Sequence, residues 1–316
     1  MKPKDISLDF MLFLHTPKFI VNFTSVGRMT AMCNTKFWTE AWQEARESSH
    51  QAPSYSNQQG WQQFWNDFAE QHALRNRQSR PIYNAIIDGL VADGVITPAS
   101  TVLDIGCGVG TFTLPLAARS LQVTGLDTAS QVLSVLSSEA SHETITDRIT
   151  PLQADWLDLP AEPAYDVVFA ANTTAINDYD SLMKMNELSR GTCCLIGFAG
   201  TYHIKVRTLL WEHLIGTPPE QTAFDIQYPF NILYQDRYLP NIKFYSYRQR
   251  YRETLAFMIE YYTSYFRLFG LEGPETSAKI TEFLANRAVE DYCTELINST
   301  IGVLWWRADR KATVLE

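Results

Sequence analysis

Three carboxylates and three glycines are spaced along the middle of this chain in a way that can hold a nucleotide. The stretch TVLDIGCGVGTFTLPLA, Thr101 to Ala117, contains Asp104-x-Gly106-x-Gly108-x-Gly110. It follows a β-rich run and opens a helix, the placement that gives a glycine loop meaning, because backbone without Cβ atoms approaches a ligand closely. A dinucleotide loop, G-x-G-x-x-G, counted from Gly106 would put its third glycine at Thr111, whereas here the glycine is Gly110. A Walker loop needs a lysine that this loop lacks. The second acid, Asp127, closes VTGLD at the end of a strand, where a carboxylate accepts both hydroxyl hydrogens of a ribose. Standing before a helix, it can equally be an N-cap. The third, Asp155 in LQADWLDLP, can accept from an adenine amino group, with Trp156 beside the ring.

Those residues need elements to carry them. TVLDIG reads as a strand and Gly110 to Arg119 as a helix. LQVTGLD is a second strand with a helix from about Ala129, ITPLQAD and YDVVFAA are the third and fourth strands, YDSLMKMNELSR is a helix and GTCCLIGFAG a fifth strand. Strands alternating with helices imply a parallel sheet covered on both faces, and open parallel sheets bind ligands at the C-terminal ends of their strands.

Upstream, three helices are expected. TKFWTEAWQEARESS is the first, HQAPSYSNQQG a polar linker, WQQFWNDFAEQHA the second, and RPIYNAIIDGLVADGVI the third, ended near Gly94. Downstream of Gly200 the alternation breaks, and residues 201 to about 243 have no clear period. KFYSYRQRYR then alternates with period two. Tyr245, Tyr247 and Tyr251 share one face, and Arg248, Arg250 and Arg252 share the other, read as a solvated face, with an anionic substrate or partner as the alternative. ETLAFMIEYYTSYF and ETSAKITEFLANRA read as helices and STIGVLWWRA as a closing strand.

The combination VLDIGCGVGTFTLPLA, VTGLD, LQADWLDLP and YDVVFAANT resembles a class I S-adenosylmethionine-dependent methyltransferase over about residues 100 to 200. The resemblance implies an α/β fold: a Rossmann-like, seven-stranded, mostly parallel sheet with helices on both faces, a helical N-terminal unit and an inserted cap before the last strand. It implies S-adenosyl-L-methionine as cofactor. Gly106, Cys107, Gly108 and Gly110 would cradle the methionine part, with Asp104 orienting the loop and the cofactor amine. Asp127, followed by Thr128, would hold the ribose hydroxyls. Asp155 would take the adenine amino group, and Trp156 its backbone edge. Ala171 or Asn172 would meet the methionine amine or the substrate. WNDFAEQH also resembles the W-D-x-x-A-x-x-Y element of small-molecule methyltransferases, whose last aromatic closes over the cofactor; here His72 stands in its place.

Methyl transfer from a sulfonium is an in-line displacement of an activated donor, so positioning and exclusion of water supply much of the catalysis. A base is required only where the acceptor must first lose a proton. Tyr202 and His203, after the fifth strand, are candidates beside His72, and no metal is required. The stretch AANTTAIND lacks the tetrapeptide of amino-directed DNA methyltransferases. The implied partner is a small aromatic or apolar methyl acceptor roofed by the flanking segments. A SAM-binding sensor or scaffold without turnover is the alternative from another class, and a nicotinamide-dependent oxidoreductase is disfavoured by the glycine spacing.

The bulk numbers agree with that picture. The chain has 316 residues, 46% of them apolar, with eight Trp, fifteen Tyr and seventeen Phe, enough for a large core and an aromatic pocket. A formal net charge of −9 opposes attraction to nucleic acid or to an anionic membrane, so neither is expected as a partner. The five cysteines have no C-x-x-C spacing and suit a reducing cytoplasm. FMLFLHTPKFIVNF is interrupted by His15, Pro17 and Lys18, and falls short of the roughly 18 apolar residues of a span, so the protein reads as soluble. The expected division is an extension at 1–35, a helical cap at 36–95, a cofactor core at 96–200, a substrate cap at 201–290 and a closing strand within 291–316. Monomer and homodimer both stay open.

Overall fold

Period-two burial sets the sheet. In the computed structural model, which describes residues 34–49, 51–217, 219 and 225–309 (backbone only at 201–203), seven strands form one sheet. They are β1 (Thr101–Ile105), β2 (Gln122–Asp127), β3 (Ile149–Gln153), β4 (Tyr165–Ala171), β5 (Ser189–Ile204), β6 (Asn241–Thr254) and β7 (Tyr292–Arg307), in the order β3-β2-β1-β4-β5-β7-β6. All pairs from β3 to β5 are parallel, and β7 runs against both β5 and β6. Successive residues face opposite layers: Val167, Phe169 and Cys194 join one apolar cluster, while Val168, Ala170 and Cys193 join the other. Both thiols are buried and free. The apolar N-terminal run and the extension up to Cys33 lie outside the described residues.

Helices cover both faces. On the first lie α4 (Ala69–Ala92), α5 (Thr113–Ala117) and α6 (Ser130–His142); on the second α1 (Thr35–Glu47), α7 (Tyr179–Leu188) and α9 (Gln227–Gln235). The N-terminal helices divide differently from the expectation. The polar linker contains a short turn of helix, α2 (Ala52–Tyr55); α3 (Gln58–Asp67) ends at Phe68, and α4 then runs unbroken through Pro81. Pro81 removes one backbone donor, yet Ala73, Ile86, Ile87 and Leu90 of the same helix are buried against the sheet, and that burial holds it as one element. The helix after the glycine loop is shorter than expected, five residues starting at Thr113.

The segment of unclear period contains α8 (Lys205–Ile215) and α9, and the segment between β5 and β7 is more than a cap, because β6 is a strand of the core sheet. Its tyrosines point inward and Arg248, Arg250 and Arg252 are exposed, as their alternation implies. The last parallel pairing is Ala171 with Ile196, yet β5 continues to Ile204, paired with β7 as far as Ile297. On this overhang α3, α8, α10 (Leu255–Arg267) and α11 (Pro274–Ala285) build a third apolar cluster of Phe64, Phe68, Trp211, Tyr262, Phe266 and neighbours. The register of β5 shifts between Phe198 and Tyr202. There the Asp225 carboxylate accepts from the Gly200 and Gln227 backbones, both at 2.9 Å, which pins the bulge to the start of α9.

Packing at that junction is tight: a Cβ on Gly302 of β7 would lie 2.7 Å from Ile226 Cγ2. Gly302→Ala is expected to lower stability by about 1–3 kcal/mol in urea unfolding, and adding Ile226→Ala should recover part of the loss. Equal destabilisation with and without the second change would show that the clash is not the cause.

Candidate functional site

The ends of β1 to β4 open onto one side of the sheet, and the glycine loop turns back over them. Gly106 and Gly108 have φ of 66° and 53°, a region that L side chains rarely adopt. At Gly106 a Cβ would lie 2.2 Å from Thr173 Oγ1, so the loop after β4 closes directly on the loop after β1. At Gly108 the space is open, with no atom within 4 Å of the Cβ position. Gly110 packs against Leu136 of α6. The Cys107 backbone donates to Leu126 O at 3.0 Å, and its buried thiol is pushed well above its ordinary range, which makes it unreactive.

Asp104 is 2% exposed and accepts from Thr113 Oγ1 at 2.6 Å, tying β1 to α5. Burial, reinforced by the nearby Asp127, raises its carboxyl to about 7 against the pull of that hydroxyl. Asp127 accepts from Gly108 N through Oδ2 and from Ala129 N through Oδ1, each at 3.0 Å. Its contacts here are local: it holds the turn leading into α6, whose N-cap is Ala129, and it anchors the glycine loop. Burial raises its pKa while the Ala129, Gly108 and Thr128 backbones lower it. Thr128 is exposed, and its carbonyl accepts from Gln62 and Gln153 at 2.7 and 3.2 Å.

Asp155 stands at the end of β3 and caps the following 3-10 turn, accepting from Leu157 N at 3.0 Å through Oδ1. The Trp156 indole is not placed beside an open site: it is 3% exposed, donates to Ala175 O at 3.2 Å and belongs to the core under β4. A large ring on an apolar face buries itself unless something else holds it out. Only its backbone remains for an adenine edge. Ala171 ends β4, and exposed Asn172 follows with φ of 49°, its N–H donating to Ile196 O at 2.9 Å.

Residues on the N-terminal helices reach the same opening. Gln62 Nε2 donates to Thr128 O, Asn66 Oδ1 accepts from Gln131 N at 2.9 Å, and Asn76 Nδ2 donates to Thr111 Oγ1 at 2.6 Å. His72 lies between these contacts, its ring 4.8 Å from Trp65 and 6.1 Å from Tyr261. Burial, with the Arg75 charge second, depresses its pKa to about 3, so it is neutral at physiological pH. Tyr202 and His203 are placed by backbone alone, opposite Ser299 and Asn298 in β7. The sequence reading did not single out Thr173, Asn76 or Arg75. A polar stripe at 72, 75, 76 and 79 on a helix that otherwise buries apolar residues was the signal for two of them.

A comparison with protein families matches residues 102–190 to the methyltransferase domain. Residues 102–190 are a methyltransferase domain. With this sheet, it has the class I, S-adenosylmethionine-dependent fold. Among curated proteins, 67 residues are 34% identical to a 23S rRNA (uracil(1939)-C(5))-methyltransferase of Polynucleobacter necessarius, covering 21% of this chain and 14% of that protein. A second match, 100 residues at 30% identity, is to a mitochondrial ribosomal RNA small subunit methyltransferase of Arabidopsis thaliana, covering 32% of this chain and 24% of that protein. The chain thus spans less than a quarter of either relative. Among solved structures, a magnesium protoporphyrin IX methyltransferase of Synechocystis with bound SAH overlays with a TM-score of 0.40 at 16% identity, over 70% of this chain and 81% of that one.

The methyltransferase core fits the cofactor of its class. Gly108 faces open space, Asp127 and Asp155 keep lone pairs beyond their backbone bonds, and all stand at strand ends on one side. Asp104 supplies a pH signature. A carboxyl whose folded pKa is raised stabilises fully below its unfolded value, near 4, and that contribution is lost as pH rises through about 7. Wild-type stability relative to Asp104→Asn should therefore fall by about 3–4 kcal/mol between these limits in urea titrations. A pH-independent difference would show that Asp104 ionises normally.

Proposed function

We propose that this chain transfers the methyl group of S-adenosylmethionine to a small aromatic or apolar acceptor. The observation that carries the reading is the convergence of the glycine loop, Asp127, Asp155 and Asn172 at four successive strand ends beneath helices rich in aromatic side chains. When bound, the cofactor supplies a methyl group already activated by a positive sulfur. The loop backbone at Gly106 and Gly108 receives its amino-acid part, the Asp127 carboxylate accepts from the ribose hydroxyls, and Asp155 with the Trp156 backbone takes the adenine edge. The cofactor core is 96–200, and the acceptor is enclosed by 36–95 and 201–290. The buried free cysteines suit a reducing, cytoplasmic setting.

Two of the relatives are named for ribosomal RNA, but they match this chain over no more than 100 residues. A net charge of −9 and an aromatic roof favour a small acceptor over a polyanion. Two measurements test the reading. Calorimetric titration with S-adenosylhomocysteine should show binding, weakened by about 1–3 kcal/mol in Asp127→Ala. Release of the demethylated cofactor should then follow with members of a panel of phenols, amines and thiols, and not with rRNA fragments. Binding without turnover on any acceptor would favour a sensor, and turnover on RNA would overturn the small-acceptor assignment.

A further inference from the structure

The overhang of the sheet is covered on one face and open on the other. Toward α4 and α10 it turns Tyr251, Glu253, Cys293 and Glu295, all buried. The alternate residues, Arg248, Arg250 and Arg252 of β6 with Thr294 and Asn298 of β7, are exposed on the opposite face. There Ile226, at the start of α9, lies against Gly302, whose strand partner Phe244 is 61% exposed. β6 is also the last strand of the sheet and pairs with β7 alone, which leaves its outer edge without a strand partner among the described residues.

The charges on the open face decide what it accepts. Arg252 lies over the Tyr292 ring at 4.0 Å and pairs with Glu290 at 3.5 Å. Arg248 and Arg250 have no ion pair or hydrogen bond among the described residues. The acids of neighbouring elements are engaged elsewhere: Glu253 by Arg75 and Gln71, Glu295 by Tyr262 and Val206 N, and Asp225 by the Gly200 and Gln227 backbones. Across the ladder Arg248 and Arg250 meet Asn298 and Leu296, and neither can neutralise them. In a chain of net charge −9, this strand therefore carries a row of cations about 7 Å apart. Such a row disfavours a second copy of the same edge, which would set arginine against arginine. It favours a strand with the opposite charge at the same spacing.

We propose that the outer edge of β6 takes up an extended acidic peptide segment as an added strand. Two carboxylates two residues apart face Arg248 and Arg250, and an apolar side chain four residues from the nearer carboxylate rests on Phe244. Main-chain hydrogen bonds to the free edge supply affinity independent of sequence, and the alternating side chains supply specificity. A nucleic acid fits this face less well. The tyrosines on which bases would stack, Tyr247 and Tyr251, are turned to the covered face, and the net charge opposes a polyanion.

The probe is a short fluorescent peptide in which isoleucine is followed four residues on by one glutamate and two further on by another, with threonine elsewhere. Its reversed sequence serves the opposite strand direction. Fluorescence polarisation with the full-length protein at low ionic strength should show saturable binding of one of the two, weakened by added salt. The double variant Arg248→Gln, Arg250→Gln should bind it about 5- to 20-fold more weakly. One of the two alternately N-methylated forms of the peptide, which keeps the charge and blocks edge pairing, should lose on the order of 10-fold. Arg248→Glu with Arg250→Glu should transfer binding to the peptide with lysine in place of glutamate. Both double variants should keep the wild-type thermal midpoint, because these side chains are exposed. No saturable binding of either peptide, equal binding by the glutamine variant, or indifference to both N-methylated forms would each overturn the proposal. So would tighter binding, through the same arginines, of oligouridylate or of phosphatidylserine vesicles. Self-association of wild type that the glutamine variant abolishes would make a second copy the occupant and overturn it equally.

Discussion

The Asp127 carboxylate is the point on which the geometry of the site turns. It is partly buried, and burial alone disfavours its charge, but the N–H groups of Gly108 and Ala129 come to it because the chain places a loop end and a helix start side by side. One charge thereby fixes the loop after β1 to the turn after β2. The next residues inherit that position. Thr128 and Gln131 are the docking points of Gln62 and Asn66, so α3 is set on this turn, and α4 follows after the break at Phe68. Asn76 of α4, which donates to Thr111 of the glycine loop, thus owes its place to a carboxylate on another element.

A second constraint is the unequal length of the strands. β1 to β4 have five to seven residues, while β5, β6 and β7 have fourteen to sixteen. Three long strands running past four short ones leave a ledge at the ligand end of the sheet. A ledge with an apolar face must be covered, and Trp211, Met258, Tyr262 and Phe266 cover it. The roof over the site therefore follows from the need to bury the overhang. Of the polar residues there, Arg75 and Glu253 join α4 to β6, while Glu295 of β7 holds α8 and α10.

Much of this was legible in the sequence because it is local. Glycines at 106 and 108 and acids at 127 and 155 advertise strand ends by type and spacing, and the alternation of tyrosine with arginine in β6 states which way each side chain points. What was not legible depends on distant packing. Pro81 looks like a helix start, and only the sheet beneath Ile86 and Ile87 keeps α4 continuous through it. Trp156 is expected beside the adenine ring, and the placement of Ala175 draws its indole into the core. Thr173 carries no motif, yet its hydroxyl is the reason that position 106 has no room for a Cβ. Residues 201 to 243 hide their helices because α8 and α9 bury against different layers, so no single period runs through them.

The family match falls on one part of the molecule. Residues 102–190 contain β1 to β4 and the first residues of β5, which is to say the strand ends that suit the methyl donor. The polar pair at 72 and 75, the tyrosines of β6 and the aromatic helices α8, α10 and α11 lie before or after that span. A resemblance confined to the donor half is compatible with acceptors as unlike as a base in RNA and a free phenol, since the same donor must be positioned for each. Discrimination between acceptors then has to come from the residues outside that span, where the aromatic side chains cluster and the acids Glu253 and Glu295 are already paired.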